Sequence, residues 1–377
     1  MSAAIYMADM VDAFLPALQE EDRVTILLGS ATLLPWEPIE HPAVTYLIAQ
    51  EIPNTFAARD EMAALVQQIR PDVWWTADTT LSPPKSKHFS PKIVYAVEDF
   101  RTLLGFERRS FWARTMAMRR SRKNLHNADA IICPVKAVAA RIIHTVGIAA
   151  RHKTFVIPNG IHPIFRHHTD EEVLNVRRKL LIPQRYVLTA CTADVSNYLT
   201  PILEAMGASE DVPSSTCVVL GDADLPDAVR EVIRDCHLEG MVRFLNVSKL
   251  APTEIAALYS GASVFFEPSQ DIAYLPSILR AMASGTPVIC AASAANEALY
   301  NQAVLRVHPT DAQEWIRAFT ALTLSTVLRD RQIANGLSCA AEFTSTAMAK
   351  QSFAFARLLC TVPASTIRKN HILHKND

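Results

Sequence analysis

A short segment in the second half of the chain has the residue types needed to hold a phosphate group. A helical pattern begins near Ser277, after the loop 269–275, and carries Arg280 in its first turn. The N-terminus of a helix favours anions, because its first amide groups are unpaired and its dipole is positive there. We therefore expect Ser277 and Arg280 to lie beside a bound anion. The alternative is that Arg280 faces solvent and pairs with a surface acid such as Glu267 or Asp271.

A second candidate is the basic segment from Arg108 to Lys123, RRSFWARTMAMRRSRK, in which seven cations surround Phe111, Trp112 and two methionines. A basic helix with interspersed apolar residues can contact anionic lipid or a phosphorylated acceptor. The alternative is an ordinary solvated helix face.

Other catalytic and metal-binding patterns are missing from the sequence. His167 and His168 have no carboxylate or third histidine at metal-ligand spacing. The seven cysteines are far apart and form no CxxC pair. There is no Walker loop, nucleophile elbow or HExxH motif. The sequence therefore predicts no metal and no cofactor, and its cysteine usage is typical of a reducing cytosol.

The elements that would position these residues alternate between short apolar runs and longer helical patterns, which predicts parallel sheets with crossover helices in an α/β fold. The strands predicted in the first half are 24–28, 44–47, 73–76, 93–97, 130–133 and 154–157. Those predicted in the second half are 186–190, 216–220, 242–245, 264–267, 287–290 and 303–307.

The 377 residues are enough for two domains of about 100–200 residues each. The segment VIPNGIHPIFRHHTDEE contains two prolines and an Asn-Gly turn, so we place the hinge there. The predicted domains are 1–166 and 167–345. A final helix at 346–359 is expected to return to the first domain, and the tail 363–377 is expected to be solvated.

Charge and hydropathy limit the classes of partner. The chain has 37 basic and 38 acidic residues, a net charge of −1, so it lacks the broad basic surface that nucleic-acid binding requires. No stretch of 18 residues is apolar and uncharged, so we expect a protein that at most rests on a membrane surface.

Three blocks of sequence together resemble family 4 of the retaining glycosyltransferases, which have the GT-B fold. One block runs from Cys217 to Pro287 and contains ALYSGASVFFEPS and AMASGTPVI. The others are HNADAIICPVKAVAARIIHTVGI at 126–148 and VIPNGI at 156–161. The resemblance implies two Rossmann-like domains with parallel sheets facing a cleft. It also implies a nucleotide diphosphate sugar held mainly by the C-terminal domain, and a glycan or lipid acceptor on the N-terminal one.

The family's phosphate clamp is absent. The family commonly has Gly-Arg, followed five residues later by Lys, in the loop after the first strand of the C-terminal domain. Counting back from LTPILEAMG, those positions hold Cys191, Thr192 and Asn197. Each charge-assisted contact to phosphate contributes about 1.5–3 kcal/mol, so losing both cations weakens diphosphate binding by roughly 100-fold.

The family's carboxylates and histidine are also replaced. Its two glutamates, one near the sugar and one holding the ribose, align with Ile272 and Arg280. Asp271 can replace the first only if the loop shifts by one residue. Where the family commonly has His-Asp after a central strand, this chain has Glu98 followed by an aspartate. The family's first strand and its Gly-rich loop are expected to be missing or to lie outside this chain.

The resemblance implies donor-binding roles at Thr192, Asn197, Gly221, Ser277 and Arg280, with Glu98 and Asp271 as catalytic candidates. Two hypotheses follow. The chain is a family member of the type that transfers a hexose from a nucleotide diphosphate sugar to a glycan or lipid acceptor, with impaired chemistry. Alternatively, it is a non-catalytic pseudo-glycosyltransferase subunit that binds or supports a catalytic partner. Either is expected in the cytoplasm, and the basic segment is where any peripheral contact with the inner membrane face is expected.

Overall fold

The computed structural model forms two compact units, Met1–Gly160 with Ser345–Asp377, and Ile161–Thr344. The division follows Gly160, whereas the sequence analysis placed it after residue 166. The residues that the structure describes are 13–14, 17–28, 41–48, 64–83, 90–97, 111–190, 199, 202–203, 206, 216–221, 227–269, 276–293, 297 and 299–362.

The strands of the described residues are β1 (Val24–Leu28), β2 (Val44–Ile48), β3 (Val73–Thr76), β4 (Lys92–Ala96), β5 (Ala130–Cys133), β6 (Thr154–Val156), β7 (Tyr186–Ala190), β8 (Thr216–Gly221), β9 (Val242–Asn246), β10 (Val264–Glu267), β11 (Val288–Ala291) and β12 (Leu305–Val307). Every predicted strand is confirmed, with ends that differ by at most two residues. The α/β fold with parallel sheets is confirmed as well.

The helices used below are α1 (Phe111–Asn127), α2 (Lys136–Val146), α3 (Asp170–Leu180), α4 (Asp227–Asp235), α5 (Pro252–Gly261), α6 (Pro276–Ala283), α7 (Ala312–Leu324), α8 (Thr326–Ala340) and α9 (Ser345–Thr361). No helix in the described ranges is both long and apolar enough to cross a bilayer.

In the first unit, β3, β4, β5 and β6 form a parallel sheet in that order, and β1 pairs in parallel with β2. Apolar side chains of the four-stranded sheet pack with helix α9, and the rings of Phe155 and Phe355 are 4.8 Å apart. Helix α9 corresponds to the final helix predicted at 346–359, and it belongs to the first unit.

In the second unit, six parallel strands lie in the order β12-β11-β10-β7-β8-β9. Helix α7 covers one region of this sheet, where Trp315 and Phe319 pack on Phe266 at 5.6 and 5.8 Å between ring centroids. Burial explains why the central strands are almost continuously apolar, since a parallel sheet covered on both faces has no polar side.

Candidate functional site

The strand order of the second unit creates one topological switch point. The chain runs outward from β7 through β8 to β9, and then returns to the other side of β7 to build β10, β11 and β12. In open parallel sheets, ligands bind in the crevice outside the carboxyl ends of the strands at such a point. Here the carboxyl ends of β7 and β10 are Ala190 and Glu267. The edge beside these two residues, which we call the switch-point edge, is the candidate site.

Glu267 is a buried carboxylate that joins two segments at this edge. Its side chain is 2 % exposed. One oxygen, Oε1, accepts hydrogen bonds from the Ser269 hydroxyl at 2.7 Å and the Ser269 amide at 3.3 Å. The other, Oε2, accepts a hydrogen bond from the Ser277 hydroxyl at 2.6 Å. Glu267 therefore ties the first turn of helix α6 to the end of strand β10.

Burial raises the pKa of Glu267 above its usual value, although the hydrogen bonds from Ser277 and Ser269 oppose this effect. The same carboxyl group adds to the effect of burial on Cys290, whose pKa rises to about 12. Cys290 lies in β11, next to β10 in the sheet. Its thiol is therefore a packing group at neutral pH, and Glu267 is the titratable group that organises this part of the edge.

The variant Glu267→Gln is expected to lose less stability than wild type as the pH rises, because it removes the ionisation of a buried carboxyl group. Because the folded pKa is raised, the native state keeps a proton that the unfolded chain loses near pH 4.5. The contribution of Glu267 to the free energy of unfolding is therefore full below that pH and is lost as the pH rises through the folded pKa. Glutamine does not ionise, so the variant should gain stability relative to wild type as the pH rises above 4.5, measured by urea unfolding at a series of pH values.

Glu254→Gln is the matched control. A hydrogen bond from Lys179 lowers the pKa of Glu254, with the amide of Ala251 contributing. Its charged form therefore stabilises the fold at neutral pH, and this variant should lose stability relative to wild type over the same pH range. If both variants show the same trend, the assigned role of Glu267 in the pH dependence is wrong.

Arg280 lies on an aromatic surface of the second unit. Its guanidinium carbon is 4.8 Å from the centroid of the Phe165 ring. The Phe165 ring meets Tyr259 edge-on at 5.6 Å, and Tyr259 stacks on Phe265 at 5.3 Å. Burial raises the pKa of Tyr259, while the positive charge of Arg280 opposes that effect. The side chain of Arg280 is partly buried and held by cation–π contact, so it does not extend into bulk solvent.

Helix α6 has only eight residues, and this corrects the position predicted for Arg280. It begins at Pro276 and ends at Ala283, where Gly285 adopts a φ of +77° and the Thr286 amide bonds back to the Ala281 carbonyl at 2.9 Å. Arg280 therefore lies in the last turn, where the helix dipole favours a cation. The prediction that Arg280 lies in the first turn of the helix is therefore wrong.

Ser277 and Gly221 are the other proposed donor-binding residues within the described ranges. Ser277 is in the first turn of α6, as predicted, and Gly221 ends β8 as a buried residue. The interior positions Ile278, Leu279 and Met282 of this helix are buried. Glu98, Thr192, Asn197, Asp271 and Ile272 lie outside the described residues.

Sequence reasoning missed the roles of two residues, Glu267 at this edge and Phe165 beneath the Arg280 guanidinium. Glu267 was considered as a surface acid that could pair with Arg280, but it is buried and bonded to two serines. The sequence did contain a signal for the position of Glu267. It follows three apolar residues of a parallel strand, so it lies at the carboxyl end of that strand, where ligands bind in such sheets. Phe165 had no comparable signal, since its contact with Arg280 spans distant parts of the sequence. Among the described residues, no group of three His, Cys, Asp or Glu could hold a metal.

Two family models match the chain. The model for Glycosyltransferase Family 4 matches residues 8–164, and the model for Glycosyl transferases group 1 matches residues 194–324. The two matches together include most of both units.

Two curated proteins are similar to parts of the chain. D-inositol 3-phosphate glycosyltransferase of Corynebacterium aurimucosum is 26 % identical over 207 residues, which are 52 % of this chain and 49 % of that protein. Alpha-monoglucosyldiacylglycerol synthase of Streptococcus pneumoniae is 28 % identical over 172 residues, 44 % of this chain and 38 % of that protein. The chain thus spans about half or less of the length of these relatives.

Solved structures match almost the whole chain. Sucrose-phosphate synthase from Thermosynechococcus elongatus superposes with a TM-score of 0.72 and 18 % identity, covering 95 % of this chain and 93 % of that one. Anabaena HepE in complex with UDP-glucose has a TM-score of 0.70 and 17 % identity, covering 95 % and 96 %. These likenesses establish the fold. With the family matches, they show that the chain belongs to the family 4, or group 1, glycosyltransferases and has the GT-B fold.

Proposed function

We propose that this chain binds a nucleotide diphosphate sugar at the switch-point edge of its second unit, and that its transfer chemistry is impaired. The observation that carries the proposal is Arg280 on the Phe165 ring, 4.8 Å from guanidinium carbon to ring centroid. The family resemblance places a ribose-binding glutamate at this position. Here the position holds a cation.

This replacement inverts the hydrogen-bonding capacity of the position. A glutamate accepts hydrogen bonds from ribose hydroxyls, whereas a guanidinium only donates and has no acceptor atom. Its planar donors match the oxygens of a phosphate instead. Arg280 therefore supplies part of the positive charge that is missing at Thr192 and Asn197. It cannot supply the lost ribose contact.

Glu267 does not replace the missing family carboxylates. It is buried, and both of its oxygens already accept hydrogen bonds from Ser269 and Ser277. Turning it toward a sugar would break those bonds and leave a buried carboxyl group without partners, at a cost of about 1–3 kcal/mol or more. Its role is to position the first turn of helix α6.

The acceptor is proposed to be a glycan or a lipid bound on the first unit. One relative is named a monoglucosyldiacylglycerol synthase, and another a glycosyltransferase of D-inositol 3-phosphate. Within the basic segment, the start of helix α1 presents Phe111 and Trp112, each 76 % exposed, and Met116, 64 % exposed. Apolar side chains directed outward beside cations favour contact with an anionic lipid surface over an ordinary solvated face.

Arg280→Ala is expected to weaken the binding of nucleotide diphosphate sugars by about tenfold, because one charge-assisted contact contributes at least about 1.4 kcal/mol. Arg280→Lys should retain part of the affinity, since it keeps the charge and loses the planar fork. Affinities would be measured by calorimetry with a panel of nucleotide diphosphate sugars. Arg317→Ala is the matched control, since this exposed arginine of helix α7 pairs with Asp311.

Two results would contradict these assignments separately. If wild type binds no nucleotide diphosphate sugar in the panel, the donor proposal fails. If wild type binds but Arg280→Ala binds equally well, the donor proposal stands and the role of Arg280 is wrong. A loss of affinity in Arg317→Ala equal to that in Arg280→Ala would indicate a general effect of charge.

A further inference from the structure

A pocket lies at the β12 side of the second unit, and none of its lining residues belongs to the switch-point edge. Its volume is about 560 Å³, and it is formed by the turn at Asn301, strand β12 and helix α8. Pockets that hold small molecules have volumes of about 300–1,000 Å³. The space is therefore sufficient for a compact polar ligand.

The described residues that line this pocket include two arginines and no carboxylate. Arg306 extends from β12, and its guanidinium donates a hydrogen bond to the Asn301 carbonyl, which fixes its position. Arg331 extends from α8 and is exposed, and within the described part of the chain its guanidinium makes no hydrogen bond or ion pair. Two cations without a carboxylate favour an anion with several oxygens, such as a phosphate group.

A buried amide in the same lining indicates a second ligand group. Gln332 is 4 % exposed, and within the described residues its Oε1 atom has no hydrogen-bond partner. A buried acceptor left without a partner costs about 1–3 kcal/mol. Asn335, one turn further along α8, uses its amide to donate to the Gln302 carbonyl at 3.3 Å, which holds the pocket wall in place. A ligand hydroxyl is the complementary group for Oε1. Because that atom is itself closed to solvent, the Gln332 amide must turn toward the pocket for the hydroxyl to reach it.

We propose that this pocket binds a small phosphorylated polyol, of which a sugar phosphate is the simplest form. The phosphate contacts Arg306 and Arg331, and a hydroxyl group satisfies Gln332. The proposal is independent of nucleotide-sugar binding at the switch-point edge, because the two sites use different residues.

The test measures the binding of three probes, a hexose phosphate, inorganic phosphate and the free hexose, to the full chain by calorimetry. Wild type should bind the hexose phosphate more tightly than either other probe. Arg306→Ala with Arg331→Ala should weaken both phosphate-containing probes by at least about tenfold. Arg317→Ala, at an exposed arginine of helix α7 that does not line the pocket, should leave hexose phosphate binding within about twofold of wild type.

Gln332→Leu separates a ligand-binding role from a structural one. Leucine removes an unpaired buried acceptor, so the melting temperature should be unchanged or higher. Hexose phosphate binding should weaken by about threefold or more, while inorganic phosphate binding should not change. If the arginine double variant binds hexose phosphate like wild type, or only Arg280→Ala weakens it, the pocket is not the site and the proposal is overturned. Equal loss of both phosphate probes in Gln332→Leu would contradict the hydroxyl contact.

Discussion

Purified alone, the chain is expected to transfer a hexose at least about 1000-fold more slowly than a family member with the full set of motif residues. Retaining transfer requires stabilisation of the departing diphosphate and of positive charge at the sugar. Such preorganised electrostatics is usually the largest catalytic contribution, and removing one donor costs roughly 100- to 1000-fold in rate. By resemblance, Thr192 and Asn197 occupy the positions where the family has the two cations of its phosphate clamp. Ile272 occupies the position of the glutamate near the sugar. Arg280 can compensate only on the phosphate side.

The rate would be measured with radiolabelled nucleotide diphosphate sugars and a broad acceptor extract. The donor should first be shown by calorimetry to bind, so that a low rate reports on chemistry rather than on an empty site. A family member with both cations and both glutamates serves as the control in the same assay. Robust transfer should appear only when a catalytic partner chain is added. Turnover of about 1 per second by this chain alone would contradict impaired chemistry.

The sheets of both units could be predicted from the sequence because their strands are buried. A parallel strand covered on both faces must be apolar at nearly every position, so it appears as a short apolar run between polar segments. Tyr186–Ala190, Thr216–Gly221 and Val264–Glu267 all have this form. The strand order then places the carboxyl ends of β7 and β10 at one switch point. Thus the strands follow from local patterns, whereas the location of the candidate site also required the observed strand order.

The chemistry at that edge could not be predicted in the same way, because it depends on contacts between distant residues and on helix length. Glu267 bonds to Ser277 across the loop before α6, and Arg280 contacts Phe165, which precedes the first strand of the unit. Helix α6 ends at Ala283, before Gly285 adopts its positive φ, so Arg280 lies in the last turn. The predicted start near Ser277 is within one residue of the observed start at Pro276, so the error lies in the length of the helix. A helix of only eight residues has Arg280 in its last turn and not in its first.

Thr192→Arg combined with Asn197→Lys is expected to raise the affinity for nucleotide diphosphates by at least tenfold. By resemblance, these are the two positions at which other members of the family have the clamp cations. In the sequence they follow Ala190, the carboxyl end of β7 at the switch point. Each recovered charge-assisted contact should contribute more than about 1.4 kcal/mol, which is a factor of ten in affinity. The affinity would be measured by calorimetry with UDP and UDP-glucose, in wild type and in the double variant.

A control variant must carry the same added charge elsewhere on the second unit. Gln313→Lys with Ser338→Arg meets this need, because both residues are exposed on helices α7 and α8. If long-range attraction alone raises the affinity, both double variants should improve equally, and both gains should shrink with added salt. If the clamp is restored, only the first should reach tenfold, and combining it with Arg280→Ala should lower the affinity again. Unchanged affinity in a well-folded clamp variant would mean that the switch-point edge lacks more than its two cations.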